Sequence, residues 1–207
     1  MRALSKGTSR HFTCRPGPET CGCVRRRILL FLMLIYGLGR PAPLVWSQSD
    51  EPTIYAVKTA FLFNFAKFIE WPPSSFASPQ SPYTICILGQ DPFGKLLDDS
   101  LQGKAIGDRP TAVRRLKDKA EARGCQMVFV SSSESMHLAE ILESLKGANI
   151  LLVGETSGFA AAGGTIEFTL EDDHVRFTIN SDAADRSGLK FSSKLLALAT
   201  IVHDEKR

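Results

Sequence analysis

The chain has 207 residues and a formal net charge of +3, but the positive balance is local. Residues 1–47 hold eight Lys/Arg and one acid, Glu19; taking these from 25 and 22 leaves 17 basic and 21 acidic residues in 48–207, a net charge of −4. The body has no basic stripe for nucleic acid, and Arg114–Arg115 with Lys117 and Lys119 reads as a solvated cluster. The leader comes first in chain order. Arg25–Arg27 form a positive n-region, and Ile28–Leu38 form an apolar run of eleven. That run is short for a bilayer span and suits a signal h-region. Cleavage is expected near Ser47, which places the mature protein in the periplasm; the alternative is an uncleaved anchor. Cys14, Cys21 and Cys23 precede the apolar run, so none is a lipoprotein cysteine. Residues 1–23 are superfluous for a signal peptide, and translation is expected to start at Val24.

The remaining segment, 48–207, has the length of one domain with a core of its own. Its first element is a helix predicted over 53–71, stopped by Pro72 and Pro73. Helical spacing puts Ile54, Val57, Phe61, Leu62, Phe65, Phe68 and Ile69 on one core face. Phe63, Lys67 and Trp71 follow at i, i+4 and i+8 on the back, which marks them as a dimer or partner surface. Burial of that stripe under the C-terminal helix is the alternative.

Tyr83–Leu88 reads as a buried strand, and Asp91-Pro92 as the start of a helix over about 93–101. A strand near 111–116, a polar helical turn over 117–123 and a second apolar strand at 125–130 follow. Next come an amphipathic helix from Met136 to Leu145 and a strand at 150–153. Thr165–Leu170 and Val175–Ile179 alternate around Asp172-Asp173, as an antiparallel hairpin does. A short helix at 181–187 and a last helix from Ser192 or Ser193 to about Val202 complete the chain. The order implies an α/β domain with a largely parallel, flavodoxin-like or Rossmann-like sheet flanked by helices and an antiparallel C-terminal hairpin at one edge.

Cys86 and Cys125 are the cysteines outside the leader. In an oxidising compartment an isolated pair invites a disulfide, and neighbouring strands would bring the two within range. Two free, buried, apolar thiols are the alternative. Gly89-Gln-Asp-Pro-Phe-Gly94-Lys95 has P-loop spacing but ends in Leu96, so the magnesium-binding hydroxyl is missing. Asp91 would repel phosphate and Pro92 removes an N–H donor, so the segment is a helix start. His137, His174 and His203 lack metal spacing, and Ser131–Ser133 lack a nucleophile elbow. The sequence therefore predicts no catalytic site, no metal and no cofactor.

Tyr55–Pro72 resembles the opening signature of the YfiR family. The same holds for Cys86-Ile-Leu-Gly-Gln-Asp-Pro-Phe93, Gly103-Lys with Arg109-Pro, and Cys125-Gln-Met-Val-Phe-Val130. Further matches are Gly158-Phe with Gly163-Gly-Thr-Ile-Glu-Phe168, Val175–Asn180 and Gly188–Leu196. The resemblance implies a periplasmic, dimeric regulator that binds the periplasmic part of an inner-membrane diguanylate cyclase. Repression there lowers cyclic-di-GMP and biofilm formation, and an outer-membrane lipoprotein can sequester the repressor. Cys86 and Cys125 match the family's recurring redox-sensitive pair; a second pair found in some relatives is missing here. A different reading is a periplasmic small-molecule sensor, using a crevice at the strand ends around Gly89–Phe93 and Ser131–Ser133.

Overall fold

The computed structural model describes residues 51–204, with side chains from 54 onward. The leader, its cleavage point and its cysteines lie outside the described residues. Helix α1 spans Glu51–Phe68. It ends before Trp71 because the chain turns at once into strand β1 (Ile69–Glu70), which pairs antiparallel with β9 (Lys190–Phe191). Ser192 N–H donates to the Phe68 carbonyl at 3.0 Å, so a tertiary bond satisfies the helix end.

The main sheet contains β2 (Tyr83–Leu88), β3 (Ala105–Ile106), β4 (Arg109–Leu116), β5 (Met127–Val130) and β6 (Leu151–Gly154). It continues with β7 (Ile166–Glu171), β8 (His174–Asn180) and β10 (Thr200–Val202). The eight strands lie in the order β10-β8-β7-β6-β5-β2-β4-β3. From β4 to β7 the pairing is parallel throughout, with β2, the first strand of this sheet in chain order, between β4 and β5. This is the flavodoxin-like order, one of the two that strand–helix alternation left open. The β7–β8 hairpin is antiparallel, and Asp172 and Asp173 take φ of 48° and 60° in its two-residue turn. A two-residue turn with both φ positive matches the twist of the strands it joins.

The C-terminal segment departs from the expected long helix. Helix α5 covers only Ser193–Leu196, capped by Ser192 Oγ, and the chain then becomes β10, parallel to β8. Thr200-Ile201-Val202 is β-branched throughout and adds to the open edge of β8, so pairing overrides helical periodicity. The helix after β2 also starts later than expected: α2 is Lys95–Leu101, and Asp91 closes a turn ahead of it.

Alternate strand residues feed two cores. Ile85, Ile87, Met127, Phe129, Leu151 and Val153 face α1 and α2. Cys86, Leu88, Val128, Val130 and Leu152 face the other way, towards α3 (Leu138–Leu145). Cys86 and Cys125 are disulfide-bonded on this second face, with Cα atoms 6.0 Å apart. Met136, expected on the apolar face of that helix, is 89% exposed in the 3-10 turn that precedes it. In α1, Thr59, Leu62, Phe65, Ala66 are buried, while Val57 and Phe68 are 40% and 39% exposed. The buried arc is thus narrower than the expected face and rotated from it.

Candidate functional site

Two features of the surface stand out. The first is a crevice of about 300 Å³ at the carboxyl ends of the strands. Gln90, Asp91 and Pro92, beyond β2, form one wall; Ser131, Ser132 and Ser133, beyond β5, form the next. Glu155, beyond β6, and Tyr55, on α1, close it. The crevice lies where the connection from β2 leaves in one direction and that from β5 in the other, the position open α/β sheets use for ligands.

Its walls are fixed by hydrogen bonds. Gln90 N–H donates to Ser133 Oγ at 2.9 Å, tying the first two loops together. Gly89, at φ +90°, packs so closely that a Cβ there would lie 2.5 Å from Ser133 Oγ. Asp91 Oδ1 accepts from Phe93 and Gly94 N–H at 2.8 and 3.2 Å, and Asp91 Oδ2 accepts from Arg115 Nε at 2.9 Å. Arg115 also holds Asp98 through a bidentate pair at 2.7 and 2.5 Å. The Arg115 hydrogen bond keeps the Asp98 carboxyl below the usual carboxylate range. On the far side Lys58 Nζ donates to Glu155 Oε2 at 2.6 Å, with side chains only 12% and 9% exposed. Tyr55 Oη donates to the same carboxylate at 3.3 Å, and the Lys58 ammonium lies 4.7 Å from the Tyr55 ring centroid. Lys58 and Glu155 are 97 residues apart, and no spacing in the sequence joins them.

The second feature is an apolar groove beside α1, lined by Phe61, Asn64, Phe68, Lys194, Leu195 and Leu198. Phe68 opens onto it, and Leu198 nearby is 72% exposed. On the solvent side of α1, Ala56, Val57 and Ala60 are also exposed. A helix face of this composition is unusually apolar for a solvated surface.

Phe63, Lys67 and Trp71 do not form a single stripe, because the helix ends between Lys67 and Trp71. Phe63 is half-buried and lies between two ammonium groups, Lys67 at 5.3 Å and Lys104 at 4.8 Å from its ring centroid. Trp71 is half-buried elsewhere: its indole N–H donates to the Gln126 carbonyl at 3.1 Å, and its ring packs edge-on to Tyr83 at 5.0 Å. Among the described residues no group of His, Cys, Asp and Glu has the geometry of a metal site. No described helix is long and apolar enough to cross a membrane.

A family model described as YfiR/HmsC-like matches residues 55–200. The chain belongs to the YfiR/HmsC-like family. Membership supports a periplasmic regulatory role. A crystal structure of a conserved domain protein from Vibrio cholerae O1 biovar El Tor is similar in fold. Its TM-score is 0.50 at 9% identity, over 71% of this chain. This YfiR/HmsC-like chain spans 59% of the length of that protein. An ABC domain from Streptococcus pneumonia, solved in complex with L-Trp, matches at a TM-score of 0.44 and 10% identity, over 57% of this chain and 55% of that one. The first likeness concerns the fold alone, and the second is too distant to support an argument.

The family segments now have structural explanations. In Gly163-Gly-Thr-Ile-Glu-Phe168, the Glu167 carboxylate accepts from Gly158 and Ala160 N–H, both at 2.9 Å. Gly154 and Gly164 leave room for the fully buried Phe159 ring, which a Cβ at either position would enter. Asn180 caps α4 (Ser181–Arg186) and donates to the Ala160 carbonyl at 2.6 Å. These residues shape the loop after β6.

Proposed function

We propose that this protein is a non-catalytic periplasmic regulator that binds the periplasmic part of an inner-membrane diguanylate cyclase and holds it inactive. Lower cyclic-di-GMP and less biofilm follow from that repression. Family membership supports a regulatory role, and the cyclase as partner is what the resemblance of Tyr55–Pro72 and the later segments implies. The observation that carries binding, as distinct from catalysis, is the exposed apolar face of α1 with Phe68 and Leu198. Aromatic side chains in a shallow apolar groove supply the anchors that protein interfaces concentrate their energy on. Phe63 with Lys67 and Lys104 flanks that face as a cationic border, suited to a partner with acidic groups around an apolar plug. The same surface serves a dimer if two copies meet on it, and an outer-membrane lipoprotein competing for it would release the cyclase.

Deleting the gene tests the reading: cyclic-di-GMP rises in a strain whose cyclase is intact, and unchanged levels overturn it. Phe68→Glu in the chromosomal copy reproduces the deletion while the protein remains folded and abundant.

A further inference from the structure

We propose that the crevice at the carboxyl ends of β2, β5 and β6 is a binding site for a small, uncharged, polyhydroxylated ligand of monosaccharide size. The charge balance argues for a neutral ligand. Two carboxylates line the crevice, and each already has its cation: Glu155 has Lys58 at 2.6 Å, and Asp91 has Arg115 at 2.9 Å. A cationic ligand would compete with buried or clamped partners, and an anionic ligand would face two carboxylates.

The polar groups suit hydroxyls. Ser133 Oγ accepts from Gln90 N–H, and Ser131 Oγ accepts from Ser133 N–H at 3.4 Å. A serine hydroxyl that accepts from the backbone still has its proton to donate. Glu155 accepts from Lys58 and Tyr55, and a carboxylate has lone pairs for further donors. The serine hydroxyls can therefore donate and the Glu155 carboxylate can accept, a pairing that adjacent hydroxyls on one small ring satisfy. Tyr55 adds an aromatic edge to the same cavity. The volume, about 300 Å³, is at the small end of ligand sites. The tight fit of Gly89 against Ser133 makes the two loops a rigid unit, so the site exists before the ligand arrives. This site is separate from the α1 groove, and the inference does not depend on the identity of the protein partner.

The test is a titration of the purified protein with glucose, N-acetylglucosamine and myo-inositol at millimolar concentration, followed by amide NMR. Glutamate, lysine and inorganic phosphate are titrated in parallel. The expected result is saturable movement of the Gln90, Ser132 and Ser133 resonances with at least one neutral compound. Ser132 is exposed at the crevice wall, so Ser132→Phe fills the cavity without entering the core. That variant loses the response and keeps its melting temperature. Silence towards every neutral compound overturns the proposal, as does a response only to a charged one. An equal response in Ser132→Phe places the ligand elsewhere and also overturns it.

Discussion

Tyr83 is fully buried in the α1-facing core, and its hydroxyl has no hydrogen-bond partner among the described residues. Burial pushes the phenol well above its ordinary pKa, so the proton stays on. An unpartnered buried hydroxyl costs its desolvation, whereas a ring of the same shape without it does not. Tyr83→Phe is therefore expected to raise the unfolding free energy by about 1 kcal/mol in urea titration; a loss of stability would contradict this. Lys58–Glu155 behaves in the opposite way, because removing either charge leaves the other buried. Lys58→Met is expected to cost about 3 kcal/mol, and the double change Lys58→Met with Glu155→Leu to cost much less. Asp98 sets a pH effect of its own. Its folded carboxyl is held down by Arg115, so its contribution is present above the unfolded pKa and is lost as pH falls through the folded one. Asp98 is 44% exposed, which screens the pair and limits the effect to about 0.5 kcal/mol. The stability of Asp98→Asn should thus fall less between about pH 5 and pH 2 than that of the unchanged protein.

At the scale of elements, β2 and β4 to β8 were readable, whereas the short β1, β3 and β9, the strand β10 and several helix ends were not. Tyr83–Leu88 is buried along its whole length, and its continuous apolar pattern marks it as a central parallel strand. Asp172-Asp173 gives the hairpin in the same local way. The end of α1 and the identity of β10 depend on pairing with Lys190–Phe191 and with β8, far along the chain, and no local pattern contains that information. The crevice was legible in part: the loops after β2 and β5 follow from the strand order, but Tyr55, Lys58 and Glu155 reach it only through tertiary packing. The disulfide joins the Cys86 strand to the turn before β5 across 39 residues. Closing a loop of that length stabilises by about 4 kcal/mol on the chain-entropy model, so Cys86→Ser with Cys125→Ser should lower the unfolding free energy by 2 to 4 kcal/mol, at roughly the same level as the disulfide protein under reductant. Identical denaturation curves with and without reductant would show that the link contributes nothing.

For the whole molecule, the aromatic residues of α1 divide between the packed core and the exposed face proposed to meet a partner. Phe65 is fully buried and packs against Phe168 and Phe177, with ring centroids 5.7 and 5.0 Å away. Phe68, one helical turn further on, is 39% exposed at the mouth of the groove with Leu198. A substitution at each position separates the two roles. Phe65→Ala removes a packed ring from the core and is expected to cost 3 to 5 kcal/mol, about enough to unfold much of a marginally stable domain. Phe68→Glu and Leu198→Glu place a carboxylate where water already reaches, so the fold should survive with its melting temperature little changed. What they lose is association: light scattering should report a smaller species if two copies meet on this face. Binding to the proposed partner, a cyclase's periplasmic part, should weaken about a hundredfold, the scale of an interface anchor. Phe63→Glu, beside the two lysines, should weaken it less, and raised salt should reduce that difference because a cationic border acts through screened charge. If Phe68→Glu and Leu198→Glu remain folded, associate as before and still repress the cyclase, the apolar face of α1 is not the surface through which this protein acts.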